Sequence, residues 1–141
     1  MLAPKKIVHR KVFNRLGQKR AGQRNRGCNV VYGDFGLKAT TTSWVTSRQI
    51  EAVRKTISRR AKGGKVYIRI FPNRPVTAKG LNVPMGSGAG AIDYFMFPVK
   101  PGRILFEVSG ITEAAAKEAF RIAGHKLPVL TRMVKRNEYQ S

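Results

Sequence analysis

Thr46-Ser47-Arg48-Gln49-Ile50-Glu51-Ala52-Val53-Arg54-Lys55-Thr56-Ile57-Ser58-Arg59-Arg60-Ala61-Lys62-Gly63-Gly64-Lys65-Val66-Tyr67-Ile68-Arg69-Ile70 switches from one hydrophobic period to another, and that switch decides the fold class. Thr46 followed by Gln49 is a capping box, and Gly63-Gly64 ends the element it opens. Between them Ile50, Val53, Ile57 and Ala61 recur at helical spacing. Beyond the glycines, Val66, Ile68 and Ile70 alternate with Tyr67, Arg69 and Phe71, the period-two pattern of a strand with two distinct faces. A helix that runs into a strand argues against all-α and all-β folds alike.

Working outward, Cys28 to Tyr32 reads as a strand, Gly33-Asp34-Phe35-Gly36 as a turn, and the Thr-rich residues 37–45 as a second strand. Pro72 and Pro75 end the strand after the helix. A glycine-rich loop follows, Pro84-Met85-Gly86-Ser87-Gly88-Ala89-Gly90. Strands are expected at 92–98 and 103–108, joined by a hairpin around Pro101-Gly102. Thr112 and Glu113 open a second helix whose buried stripe is Ala116, Ala119, Phe120, Ala123 and Leu127. Residues 129–134 make a last strand. The expected organisation is a basic extended arm over 1–27, a single α+β domain over 28–135 and a polar tail over 136–141.

Charge narrows the function. Lys and Arg total 28 against 7 Asp and Glu, a net +21 on 141 residues. No acid precedes Asp34, whereas Lys5, Lys6, Arg10, Lys11, Arg15, Lys19, Arg20, Arg24 and Arg26 all do. On the helix, Arg48, Lys55, Arg59 and Lys62 fall opposite the apolar stripe, with Glu51 the one acid among them. A compact chain with this imbalance repels itself, so its working state includes a polyanion, and nucleic acid is the expected one. Most such contacts position a protein on the backbone rather than read sequence.

The same residues weigh against other classes. The opening turns basic at once and lacks the apolar stretch of a secretory signal, and no run is long enough to span a bilayer. Cys28 is the sole cysteine, so neither an internal disulfide nor a cysteine-based zinc site is expected. His9 and His125 have no carboxylate cluster beside them, and the acids are scattered, so neither metal nor catalytic residues are expected. Gly86, Gly88 and Gly90 lead into strand-like sequence, which excludes a dinucleotide fingerprint. No cofactor is expected. That loop is either a flexible surface segment or one whose missing side chains let Met85, Gly86, Ser87, Gly88 and Gly90 come close to RNA. Among the aromatics Trp44, Tyr67, Phe71, Tyr94, Phe95 and Phe97, Tyr67 is the expected exposed one, able to stack on a base.

Several stretches are recognisable together. Met1-Leu2-Ala3-Pro4-Lys5, Trp44-Val45-Thr46-Ser47-Arg48-Gln49-Ile50-Glu51-Ala52, Gly64-Lys65-Val66-Tyr67-Ile68-Arg69-Ile70-Phe71-Pro72, Val99-Lys100-Pro101-Gly102-Arg103-Ile104-Leu105-Phe106-Glu107 and His125-Lys126-Leu127-Pro128 resemble, in register, the bacterial-type large-subunit ribosomal protein L-sixteen family. The sequence departs from that family's loop, which usually has arginine where Pro84 stands and lysine where Ala89 stands. Tyr67 replaces a customary tryptophan. The resemblance implies a hammerhead-type α+β body with no enzymatic activity, bound to large-subunit rRNA near the peptidyl-transferase centre. It implies support for A-site tRNA accommodation, with rRNA, tRNA and neighbouring ribosomal proteins as partners and no small-molecule substrate. The rRNA-binding set would be the arm cations named above with Arg48, Lys55, Arg59, Lys62 and Arg69. A cytoplasmic bacterial ribosome, or an organellar one, is the implied location. The rival reading from composition alone is a free-standing RNA- or DNA-binding or RNA-chaperone module.

Overall fold

The computed structural model describes residues 2–9, 11–12 and 26–136. Among these residues two antiparallel sheets and two helices form an α+β fold. Sheet one has the order β3-β6-β1-β7, with β1 at Phe35–Ala39, β3 at Lys65–Ile68, β6 at Ile104–Ser109 and β7 at Thr131–Lys135. Sheet two has the order β2-β5-β4, with β2 at Ser43–Thr46, β4 at Arg74–Ala78 and β5 at Ala91–Val99. Helix α1 spans Ser47–Arg60 and packs on α2, Glu113–Gly124, while touching β3 of one sheet and β2 and β5 of the other.

Helix α1 is where its sequence places it. Gln49 N–H donates to Thr46 Oγ1 at 3.3 Å and Thr46 N–H to Gln49 Oε1 at 2.9 Å, closing the capping box. Ile50, Val53 and Ile57 are fully buried. They meet Leu37, Val45, Val99, Leu105, Phe106, Val108 and Phe120 in the main core, and Leu2 packs against that core from outside. On α2, Ala116, Ala119 and Ala123 are fully buried and small, which lets the helices approach closely.

Four local expectations are corrected. Residues 28–32 are not a strand, because the N–H groups of Val31, Tyr32 and Gly33 turn inward to a buried carboxylate on β6 described below. The expected turn at 33–36 instead leads straight into β1, which begins at Phe35 and pairs with both β6 and β7. The expected strand 37–45 is broken: Thr40 N–H donates to Leu130 O and Leu130 N–H donates to Thr41 Oγ1, so the chain leaves one sheet and enters the other. Pro75 does not terminate a strand but sits within β4, opposite Phe95. Since β4 is the edge of its sheet, the missing N–H is tolerated.

The expected hairpin at Pro101-Gly102 is also corrected. β5 and β6 belong to different sheets and do not pair. The turn closes through Arg103 N–H to Lys100 O, but Gly102 N–H donates to Ala39 O and Ala39 N–H to Arg103 O. The chain is thereby handed to β1 rather than folded back on β5. The hairpin of sheet two is β4–β5, in register Ala78↔Ala91, and the glycine-rich residues are its tip.

Candidate nucleic-acid interface

Three features of the candidate interface lie on this scaffold. The first is the outer face of α1, with Lys62, expected on that helical face, lying instead two residues past the helix end. Arg48, Lys55, Arg59 and Lys62 are all exposed, and none lies within ion-pair distance of a carboxylate among the described residues. Arg48, Lys55 and Arg59 line an open groove of about 390 Å³ with Glu51, Ala52, Thr56 and Lys126. Thr56 Oγ1 donates to Ala52 O, which leaves the groove floor without a free hydroxyl proton. Lys126, which follows α2, is a cation that helical periodicity within α1 could not reveal. Its one sequence signal is its place beside His125 at the end of the second helix.

The acids explain why this face stays uncompensated. Glu51 pairs with Arg54, Glu107 with Arg69, Glu113 with Lys135, and Glu118 with Arg121 and Arg60. Asp34 Oδ2 accepts the Gly110 N–H at 3.2 Å. Hydrogen bonds from Arg54 and Arg121 hold the Glu51 and Glu118 carboxyls below their ordinary range. With nearly all described carboxylates committed elsewhere, the cations of the α1 groove keep an outward field.

The second feature is the root of the arm. Glu107, fully buried on β6, accepts N–H groups from Val31 at 3.2 Å, Tyr32 at 2.6 Å and Gly33 at 2.9 Å, and Arg69 Nη1 donates to its Oε1. A side chain at Gly33 would lie 2.7 Å from Val108 O, so glycine is needed for this approach. Arg103 adds hydrogen bonds to Arg26 O and Arg69 O, and Gly27 O accepts from Ile104 N–H. Residues 26–33, where the arm joins the body, are therefore fixed. Arg69, expected among the RNA-binding cations, has its guanidinium on Glu107 and 5.0 Å from the Tyr32 ring centre.

Aromatic exposure differs from the expectation. Tyr67 is half-buried because Tyr32 stacks on it, centroids 5.7 Å apart and planes 25° apart. Tyr32 is the outward ring, 61% exposed. Nothing in its own sequence neighbourhood marked it, since its partner is on β3.

The third feature is the loop of the β4–β5 hairpin. Met85, Gly86, Ser87 and Gly88 are exposed and Gly90 is half-exposed. Lys5, Lys6, Lys11 and Arg26 are exposed as well. Arg10, Arg15, Lys19, Arg20 and Arg24 lie outside the described residues. Among the described residues no three His, Cys, Asp or Glu side chains gather as metal ligands, and no helix is long and apolar enough to cross a membrane.

Comparison with known proteins places the chain in a family. A family model described as Ribosomal protein L16p/L10e matches residues 4–134. The chain is similar to the protein named Large ribosomal subunit protein uL16 from Staphylococcus aureus strains Newman, JH1 and USA300. Each is 52% identical over 139 residues, which is 98% of this chain and 94% of the relative. The chain belongs to the ribosomal protein L16p/L10e family, a family of structural rather than enzymatic components of the ribosome.

Proposed function

We propose that this chain is a structural constituent of the large ribosomal subunit that binds large-subunit rRNA near the peptidyl-transferase centre and supports accommodation of A-site tRNA. The observation that carries this reading is the α1 groove, where Arg48, Lys55, Arg59 and Lys126 converge with no ion pair to a carboxylate among the described residues, Glu51 of the same groove being held by Arg54. Such a groove follows a phosphate backbone, and each phosphate neutralised releases condensed counterions. Lys62 extends the same face. Further rRNA phosphates are assigned to the arm cations Lys5, Lys6, Arg10, Lys11, Arg15, Lys19, Arg20, Arg24 and Arg26, whose body-side end is fixed by Glu107. Arg69 serves the root rather than a phosphate. The loop with Met85, Gly86, Ser87, Gly88 and Gly90 approaches RNA through its backbone.

Gradient sedimentation of cell extract tests the assembly. The protein is expected in the large-subunit peak at moderate salt, and recovery only as free protein or on bulk nucleic acid would favour the free-standing binder instead. Crosslinks from Lys55, Arg59 and Lys126 to rRNA of the peptidyl-transferase region test the placement.

A further inference from the structure

Residues 80–90, the tip of the β4–β5 hairpin, contain no charged side chain, in a protein of net charge +21. The tip is nevertheless not bare of charge, because two lysines from outside it converge there. Lys79 Nζ donates to Gly86 O and, at 3.3 Å, to Pro84 O. A Cβ built on Gly88 would lie 3.9 Å from the Lys11 ammonium. Gly86, Ser87 and Gly88 all have positive φ, at 116°, 53° and 88°, so the loop takes a conformation that side chains resist. Across residues 85–89 no backbone N–H has a partner among the described residues.

The consequences are complementary. Lys79 draws carbonyl oxygens of the loop onto one ammonium, which occupies acceptors while the donors of 85–89 have no partner among the described residues. A run of free N–H groups next to an ammonium is a phosphate cradle, since donors to an oxyanion form short, charge-assisted bonds. Gly90 closes the base of the loop: a Cβ there would stand 2.1 Å from Ala78 O.

We propose that Lys79 is a positioning residue which holds the 84–90 loop so that its free N–H groups, with the Lys11 ammonium, bind one phosphate of an RNA backbone. This rests on the reading that the loop approaches RNA, and adds how a loop without charges of its own does so.

The test uses the full chain, wild type or carrying Lys79→Met, Lys79→Arg, Lys11→Met or the distant exposed control Lys65→Met. Nitrogen relaxation of the Gly86 and Ser87 amides is read in the free chain. Amide exchange over 84–90 is read in assembled large subunits. In the free chain Lys79→Met should loosen both amides, with Lys79→Arg and Lys11→Met close to wild type. In the particle, wild-type loop amides should gain about tenfold or more in protection, and Lys79→Met and Lys11→Met should each lose most of that gain while Lys79→Arg and Lys65→Met keep it. Protection in wild type that persists unchanged in Lys79→Met and Lys11→Met would overturn the proposal and leave loop–RNA contact standing. No protection even in wild type would refute that contact, and the proposal with it.

Discussion

Arg69 and Glu107, 38 residues apart, meet as an ion pair beneath the root of the basic arm, with Glu107 fully buried and Arg69 16% exposed at its side chain. Three further N–H groups, from Val31, Tyr32 and Gly33, complete the shell of the carboxylate. The pair thus converts one buried charge into a fixed exit for a segment that carries much of the protein's cationic content. Removing a single partner strands the other. Arg69→Met is expected to cost roughly 3 kcal/mol in urea unfolding, and Arg69→Met with Glu107→Leu to cost less than the two single changes added together. Strict additivity would mean that the contact contributes nothing.

Helix α1 depends on its first turn, because the groove cations Arg48, Lys55 and Arg59 ride on it. Thr46→Ala removes the acceptor for Gln49 N–H and should destabilise the chain by about 1 kcal/mol. Thermal unfolding followed by circular dichroism reads the loss.

The hairpin tip has its own steric requirement. Gly90→Ala places a methyl group 2.1 Å from Ala78 O, so β4 and β5 must part at Ala78↔Ala91. A cost of about 1–3 kcal/mol is expected, in the range for overpacking. Gly63→Ala meets no neighbour within 4 Å and probes only the effect of its φ of 81°. Backbone chemical shifts should move at both ends of the β4–β5 pair in the first variant and only near α1 in the second.

Acid should weaken the fold through Glu51. Its carboxyl is held below the ordinary 4.5 chiefly by the hydrogen bond from Arg54. A depressed carboxyl stabilises the folded state above its unfolded value, and that contribution is lost as pH falls through the lower folded value. Relative to Glu51→Gln, wild type should therefore lose stability as pH drops below 4.5 and hold its advantage at neutral pH. Urea unfolding of both chains across that window checks the sign; parallel curves would contradict it.

Legibility in the sequence followed the range of the interaction involved. The capping box, the stripe Ile50, Val53 and Ile57, and the Ala-rich face of α2 are local, and each lies where periodicity puts it. β4 was hidden because Pro75 reads as a breaker, and only its edge position makes it harmless. Pro101-Gly102 has the chemistry of a turn, but turn chemistry does not say which strand receives the chain. Glu107 looked like an isolated acid on a strand, since its partners lie 38 to 76 residues away. Arg48, Lys55 and Arg59 were readable as one face of α1, whereas Lys62 lies two residues past its end and Lys126 joins the groove only through the packing of α2 on α1.

The central claim is that the cations of the arm and of the α1 groove hold rRNA by its phosphates. The most direct measurement is the affinity of the full chain for large-subunit rRNA as a function of salt. About seven phosphate contacts from the arm alone predict a log-log slope near −6 or steeper on the duplex scale. A slope shallower than about −2 would contradict the account, because so few released counterions could not represent an electrostatic anchor.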